Sequence, residues 1–390
     1  MTVRVNKPAF NIREKLSELE RPIGVKGNEL MRAETAQDAR DLVSAGRKNI
    51  IINGDMRVAQ RGTNAVSGNA QFPVDRWELS NTDGAGVQIQ QSTDVPAGEG
   101  FINSIKWSVN STSNTTGSQS IRQHIEIQNA SALGWGTSKG KSATLSFWVK
   151  GSHNGTITSS VREGAAASRS FINLTEVTTS WVKHSFTIPH ISDGSWNTNP
   201  NSRGISVIFA FDRHSSANGS TENKWVTSNW LNHSNQTEWI TISGAEIYIT
   251  GVQLEVGKNA TEFEHRSIGE EIALCQRYFI RMKGSTGAHG TSVGDGGIAT
   301  LANWTTQNAY GPIFLGTEMR TPPSLAGFSG VKYFSGGNQT SLSGSNVVIV
   351  GTMSNRVELR LTGLSNLLQG GAGWVRLIST SSYMDFNAEL

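Results

Sequence analysis

The 390-residue sequence has a single cysteine, Cys275. One cysteine excludes a framework of intrachain disulfides, and it fits folding in a reducing cytoplasm. No run of residues approaches the ~20 apolar residues that a membrane helix needs. The first residues also lack the apolar core of a signal peptide. We therefore expect a chain that is made in the cytoplasm and does not insert into a membrane.

Charged residues are scarce after the first 49 positions. Residues 1–49 carry 10 Lys and Arg against 7 Asp and Glu, whereas the remaining 341 residues carry 24 of each sign. This shift in composition predicts a boundary near Asn49. The excess of +3 is too small and too mixed in sign for an arm that binds nucleic acid, which needs clustered Lys and Arg. We therefore expect no nucleic-acid partner.

Catalytic motifs are also missing. The sequence has no HExxH or GxSxG motif and no pair of cysteines for a metal. The stretch Gly136–Ser142 resembles a phosphate-binding loop but has one residue too few between its glycines. Four acidic residues are candidates for the two carboxylates of a glycoside hydrolase: Asp193, Asp212, Glu222 and Glu238. The sequence favours a protein without catalysis or cofactor, with a glycoside hydrolase as the alternative, and it leaves a bound metal undetermined.

Short strands dominate the rest of the sequence. Its 42 glycines exceed the average usage of about 7%, and its 11 tryptophans with few helix-forming charged residues indicate short strands joined by Gly, Ser and Asn turns. Apolar residues alternate with polar ones in many segments, for example at Trp77 and Leu79, and at Ile105, Trp107 and Val109. Eight or more such segments and no fixed repeat predict a β-sandwich, most simply a jelly roll. The predicted fold class is mainly β, with a short helical N-terminus and a C-terminal β domain.

The stretch 244–279 marks the end of the sandwich. Its alternating apolar positions change parity after Gly251, which predicts a β-bulge at that glycine. Ser267 and Glu270 have the spacing of a capping box and predict the start of a helix. We expect this helix to present one apolar face formed by Ile268, Ile272, Cys275 and Phe279.

Two short helices are predicted within residues 1–49. An isolated helix of fewer than ~12–15 residues is marginal in water, so these helices must pack on another surface. Their apolar positions are therefore our candidate attachment residues: Ile12, Leu16, Leu19, Leu42 and Val43. The predicted organisation is a helical segment over 1–49, a sandwich over 50–266, a linking helix over 267–279 and a C-terminal β domain over 280–390.

Several stretches, taken in order, resemble phage and prophage tail-fibre-like proteins. They are IINGDMRVAQRGT, DRW, SFWVKG, ITGVQLEVGKNATEFEHR, LCQRYF and the terminal FNAEL. The resemblance covers roughly residues 30–390, and its specificity comes from the order of the stretches. It implies a homotrimeric virion appendage, held to the phage tail or an adaptor protein by its N-terminus. Its outer β domains then contact the surface of the host bacterium.

Aromatic residues among polar neighbours are the candidate ligand-binding positions. An indole stacks on the C–H face of a sugar, whereas Asn, Asp and His satisfy the hydroxyls. The competing interpretation is packing in the core or between chains. Trp239 is the expected core member, and Trp196 is the best surface candidate. The candidate ligand-binding residues are Trp196, Trp225, Trp230, Trp304, Tyr310 and Tyr333.

The resulting hypothesis is a tail fibre located in the virion and made inside an infected bacterium. It binds a host-surface glycan or protein through residues 280–390, which we expect at the distal end. The alternatives are a tailspike that degrades polysaccharide and a purely architectural tail component.

Overall fold

A computed structural model describes residues 48–82, 84–113, 117, 119–164, 169–193, 196, 199–212, 218–228, 231–284 and 296–390. The chain divides into two compact units, Met1–Lys48 and Asn49–Leu390, and the description below concerns the second. The helices predicted in residues 1–49 lie outside the described residues. The same holds for the proposed attachment residues Ile12, Leu16, Leu19, Leu42 and Val43.

The first part of this unit is a sandwich of two antiparallel sheets, which confirms the predicted mainly β, jelly-roll-like fold. One sheet has seven strands in the order β1-β2-β5-β10-β7-β8-β12: β1 (Gln71–Val74), β2 (Trp77–Asn81), β5 (Gln119–Glu126), β10 (Arg203–Ala210), β7 (Gly155–Glu163), β8 (Ser170–Val177) and β12 (Trp225–Val226). The other has five in the order β3-β4-β14-β6-β9: β3 (Gly86–Ser92), β4 (Ser104–Ser111), β14 (Glu246–Val256), β6 (Ala143–Gly151) and β9 (Val182–Ile188). Short additions are helix α1 (Ile127–Ala130), two 3₁₀ turns (Ser131–Leu133 and Trp239–Thr241), and the parallel pair β11 (Asn218–Gly219) and β13 (Asn232–His233).

Aromatic side chains fill the space between the two sheets. Trp77 packs against Phe209 and Trp107 against Phe211, with ring centroids 6.1 and 4.7 Å apart. Trp239 is fully buried, as predicted. A buried aromatic side chain removes ~150–250 Å² from water, worth roughly 4–6 kcal/mol at about 25 cal/mol per Å². These rings therefore supply much of the drive for the two sheets to pack together.

Strand β14 contains the predicted bulge. Its register against β6 shifts between Thr250 and Gln253, and Gly251 has a φ of +62°. A Cβ atom at position 251 would lie 2.6 Å from Cζ of Phe101. Both the left-handed backbone and the close ring require glycine here, so the parity change was correctly assigned to this residue.

Helix α2 (Ile268–Gln276) begins as predicted, because the Ser267 hydroxyl accepts a hydrogen bond from the Glu270 amide at 3.3 Å. The predicted apolar face is wrong. The helix ends at Gln276, before Phe279, and the side chains of Ile268 and Ile272 are 49% and 36% exposed. The buried positions are Cys275 and Glu271.

The orientation of α2 is set by a charged residue. The Glu271 carboxylate accepts a hydrogen bond from the backbone amide of Asn53 and lies 3.5 Å from Nη1 of Arg266. Turning Glu271 toward solvent would leave the Asn53 amide buried without a partner, which costs about 1–3 kcal/mol. This long-range requirement outweighs the burial of two isoleucines that the local periodicity favoured.

The C-terminal part is a second pair of sheets with its own core. A three-stranded sheet has the order β15-β24-β18: β15 (Phe279–Lys283), β24 (Tyr383–Asn387) and β18 (Ser324–Ser329). A seven-stranded sheet has the order β20-β19-β23-β16-β17-β22-β21: β20 (Asn338–Ser341), β19 (Val331–Ser335), β23 (Ala372–Leu377), β16 (Gly296–Asn303), β17 (Ala309–Phe314), β22 (Arg356–Leu361) and β21 (Val347–Met353). Buried residues of both sheets, such as Leu359 and Phe386, belong to one hydrophobic cluster separate from that of the sandwich.

A polar junction joins the sandwich to the C-terminal part. It consists of Arg61, Asp75, Arg76, Tyr278 and Glu389. Arg76 pairs with the Glu389 carboxylate, and its guanidinium lies 3.5 Å from the centroid of the Tyr278 ring. Arg61 lies 3.4 Å from Glu389 and 3.7 Å from Asp75. Burial raises the pKa of Asp75 to about 6, although Arg61 opposes this shift. The predicted domain boundaries themselves stay a prediction.

Candidate functional site

The predicted sandwich tryptophans belong to an aromatic cluster. Trp225 and Trp196 contact Trp135 edge to face, with ring centroids 5.3 and 6.0 Å from it. We call these three residues the tryptophan cluster. Each indole N–H donates to a backbone carbonyl, that of Pro189, Asp193 or Lys141. Trp225 and Trp196 are only partly buried, so each ring packs on the cluster and keeps part of its surface exposed.

Trp196 is held by a close contact with a glycine. A Cβ atom on Gly136 would lie 1.9 Å from Cδ1 of the indole, so only glycine leaves room for this ring. The cluster also packs against the sandwich core. Sequence reasoning did not include Trp135, although its flanking glycines indicate a tight turn. Trp230, the third candidate in the sandwich, lies outside the described residues.

The structure contradicts the prediction that Tyr333 is a surface residue available to a ligand. Its side chain is 1% exposed in the core of the C-terminal part, and its hydroxyl donates to Oδ1 of Asn303 at 2.6 Å. A buried ring has no free face for a sugar. Tyr333 faces inward because alternate residues of a strand point to opposite sides of the sheet, and its neighbour Phe334 takes the outward position.

The other two candidates of this part lie on an exposed face of the seven-stranded sheet. Trp304 is 69% exposed and contacts Tyr310 edge to face, with ring centroids 6.2 Å apart. The strand register places further aromatic residues on the same side, including Phe314 at 67% exposure and Trp374 at 52%. We define the aromatic face as Trp304, Tyr310, Phe314, Phe334 and Trp374.

Polar groups accompany the aromatic face. The Arg376 guanidinium lies 4.9 Å from the Phe334 ring centroid and 5.0 Å from that of Trp374. Thr300 is the partner of Trp374 on β16. This combination offers flat apolar rings beside hydrogen-bond donors and acceptors, which is what a ligand with both apolar and hydroxyl-bearing surfaces requires.

The candidate ligand-binding residues predicted from the sequence did not include Phe314, Phe334 and Trp374. A signal was present for Trp374, because it lies two residues before Arg376 and so shares a side of the strand with a charged residue. Val375 and Leu377, on the other side, are buried. Reading the strand from Arg376 would have placed the tryptophan outward.

Three of the four acidic candidates for hydrolysis make structural contacts. Asp193 pairs with Arg169 at 3.1 Å, and Glu222 accepts from the Leu174 amide at 3.2 Å. Asp212 is buried and accepts from the Gln119 amide at 3.0 Å. Within the part of the chain that is described, no group of three or more His, Cys, Asp or Glu side chains is placed to hold a metal ion.

Four of the six stretches that carry the tail-fibre resemblance contribute residues to the junction. Arg61 comes from the first stretch, Asp75 and Arg76 from DRW, Tyr278 from LCQRYF and Glu389 from the terminal FNAEL. These four stretches therefore contribute to the joint between the sandwich and the C-terminal part.

Comparisons with known proteins give distant structural likenesses. No family model and no curated protein matches the chain. A domain of bacteriophage CBA120 tailspike protein 4 is 17% identical with a TM-score of 0.31, and the match covers 54% of this chain but only 21% of that one. A carbohydrate-binding module of family 4 is 14% identical with a TM-score of 0.29, over 53% of this chain and 98% of that one. A putative sugar-binding protein from Bacteroides thetaiotaomicron is 14% identical with a TM-score of 0.30, over 54% and 100%. Likenesses at this level carry no argument about function.

None of the helices in the described residues is both long enough and apolar enough to cross a bilayer.

Proposed function

We propose that the chain is a virion appendage of the tail-fibre type that binds a glycan on the bacterial surface through the aromatic face, without catalysis. The observation that carries the proposal is the exposure of Trp304, Phe314 and Trp374 on one side of a single sheet. Contiguous exposed apolar surface on a folded protein marks a site of interaction.

The chemistry of the face favours a glycan. The pyranose ring presents C–H bonds on one side, which pack against an indole or phenyl ring, and its hydroxyls need hydrogen-bond partners. Arg376 supplies donors between two rings, Phe334 and Trp374. Burying a guanidinium against a purely apolar ligand is unfavourable, whereas the hydroxyls of a sugar accept hydrogen bonds from it.

The remaining parts of the proposal follow from the resemblance. Residues 1–49 attach the chain to the tail or to an adaptor protein, three copies assemble, and residues 280–390 are the host-facing end. The alternatives are a polysaccharide-degrading tailspike and an architectural component without host contact. The partners already made by Asp193 and Glu222 weigh against the first.

The test uses the full-length chain and a panel of purified bacterial envelope polysaccharides. Replacing either exposed tryptophan, as in Trp304→Ala or Trp374→Ala, is expected to weaken binding roughly tenfold, the scale of an aromatic hot spot. The control is Ile102→Ala in the sandwich, which removes an equally exposed apolar side chain (63%) away from this sheet. New reducing ends are assayed in the same samples.

Three results would contradict the proposal. Unchanged binding by both tryptophan variants would remove the aromatic face from recognition. A change of native mass without a change in binding would assign the face to contacts between copies. Release of reducing ends by the wild-type chain would favour the tailspike.

A further inference from the structure

The side of the seven-stranded sandwich sheet that faces away from the core carries three arginines. Arg122 lies on β5, Arg162 on β7, and Arg203 at the start of β10. We call these the arginine group. The strand register pairs His124 with Ser206 and Ser206 with Arg162, so these three side chains lie in one row across the sheet. Core residues such as Val161 and Val207 occupy the opposite side.

Two of the three arginines have partners. Arg122 binds the Glu78 carboxylate in a bidentate manner, with N–O distances of 3.0 and 2.7 Å. Burial opposes ionisation of Glu78, but hydrogen bonds from His124 and Arg122 outweigh it and hold the pKa of this carboxyl well below its usual range. Arg203 donates from Nε to the Gly164 carbonyl at 3.0 Å.

Arg162 has no such partner. Its Nε is buried and, among the described residues, neither a hydrogen-bond acceptor nor a carboxylate is paired with it. Burial and the neighbouring charges of Arg203 and Arg122 lower the pKa of Arg162 to about 10. The guanidinium thus stays ionised at neutral pH while facing two like charges.

A hydroxyl beside Arg162 is also unsatisfied. Ser160 lies two residues earlier on the same side of β7, is fully buried, and its Oγ has no hydrogen-bond partner in the described part of the chain. Burial lowers the pKa of His124 to about 4, so its imidazole is neutral at pH 7 and bonds to the Ser206 hydroxyl at 2.7 Å. Glu126, the register partner of Arg203, is paired with Arg277, so among the described residues Glu78 is the one carboxylate that forms an ion pair with these three arginines.

We propose that the arginine group, through Arg162, binds an oxyanion carried by the host-surface polymer. An uncompensated buried charge is costly, and a carboxylate or phosphate oxygen pairs with a guanidinium through two parallel hydrogen bonds. The sources of that chemistry are the carboxylate of an acidic sugar and a phosphate ester of a polyol. The proposal deepens the proposed function and rests on it for the origin of the ligand, but the site itself is testable with small anions.

The experiment is calorimetric titration of the full-length chain at pH 7 and low salt with sodium glucuronate, glycerol phosphate and, as the neutral control, glucose. We expect at least one of the anions to bind and glucose not to bind. Arg162→Met is expected to weaken anion binding about tenfold or more, the loss of a charge-assisted hydrogen-bond pair. The matched control is Arg169→Met, since Arg169 already has a carboxylate partner in Asp193.

A second measurement separates a binding role from a structural one. An arginine with no partner does not stabilise the fold, so Arg162→Met is expected to melt no lower than wild type without ligand. The anion should raise the melting temperature of wild type and of Arg169→Met only. Glucuronate binding alone indicates an acidic sugar, and glycerol phosphate binding alone indicates a phosphate ester.

The proposed site would be contradicted if glucose bound as well as the two anions or if none of the three compounds bound. An unchanged anion affinity in Arg162→Met would contradict it as well. The outcome is independent of the aromatic face. If the wild type binds an anion and the tryptophan variants still bind polysaccharide, the anion site at the arginine group is supported. Only the proposed role of the aromatic face is then contradicted.

Discussion

The junction between the sandwich and the C-terminal part provides the sharpest test of the fold. Arg76 is 2% exposed, and its charge is balanced by the Glu389 carboxylate, itself 6% exposed. Although burial alone would lower the pKa of Arg76, this carboxylate raises it above its ordinary value. Removing one partner of a buried ion pair leaves the other charge uncompensated, which costs about 3–5 kcal/mol.

Glu389→Gln keeps the size of the side chain and removes only its charge. We expect the free energy of unfolding to fall by about 3 kcal/mol, the lower end of the range, because the amide oxygen still accepts one hydrogen bond from Arg76. The measurement is urea unfolding of the full-length chain followed by tryptophan fluorescence. If the C-terminal part unfolds before the sandwich, the loss appears in the first transition.

Two further variants complete the test. Glu318→Gln is the control, because Glu318 is exposed and its one hydrogen bond within the described residues is with the Ser354 hydroxyl at 3.2 Å, so its change should stay within about 0.5 kcal/mol. The double variant Arg76→Met with Glu389→Gln removes both buried charges and should recover much of the stability lost in the single variant. Equal stability of Glu389→Gln and wild type, or a double variant that loses the sum of both single changes, would refute the reasoning.

Three more predictions follow from single positions. The raised pKa of Asp75 means that the wild type loses stability as the pH increases through about 6, whereas Asp75→Asn has no carboxyl group to ionise there. The stability of Asp75→Asn relative to wild type should therefore rise by about 3 kcal/mol from pH 4 to pH 7. Equal pH profiles of the two proteins in thermal melts would contradict this. Gly251→Ala should destabilise by about 2–4 kcal/mol, since alanine at a φ of +62° is strained and its Cβ would meet the Phe101 ring; an unchanged urea midpoint would show that the bulge relaxes. Cys275→Ser should lower the free energy of unfolding by about 1–3 kcal/mol because it buries a hydroxyl, whereas Ile272→Gln should change it by less than about 0.5 kcal/mol. A larger loss in Ile272→Gln than in Cys275→Ser would instead support the apolar helix face that periodicity predicted.

Local patterns predicted most of the strands because each strand of a sandwich has one buried side. The bulge at Gly251 was predicted for that reason. Trp239 is buried as predicted, although it lies in a 3₁₀ turn and not in a strand. The orientation of helix α2 was not, because it depends on a hydrogen bond between Glu271 and Asn53, 218 positions apart in sequence. No periodicity within nine residues contains that contact.

The candidate site was less predictable than the fold. Tyr333 and Phe334 are adjacent and both aromatic, so composition does not say which one the sheet buries. Only the register against β23 decides, by pairing Phe334 with the exposed Trp374. The sequence around Arg162 likewise does not distinguish it from other arginines in strands. Only the structure shows that the charges close to it are those of Arg203 and Arg122.

The different chemistry of these surfaces explains which of them a sequence pattern can reveal. At the junction, Arg76 needs a carboxylate at Glu389 and a ring at Tyr278, and each of these groups is buried where a substitute would leave a charge or a donor unpaired. Such a network demands particular residues at particular positions. Stacking on a sugar needs only a flat ring with one free side, so any of several aromatic residues at several positions will serve. The proposed binding surfaces therefore become visible only through exposure and unpaired charge, whereas the joint depends on particular residues at particular positions.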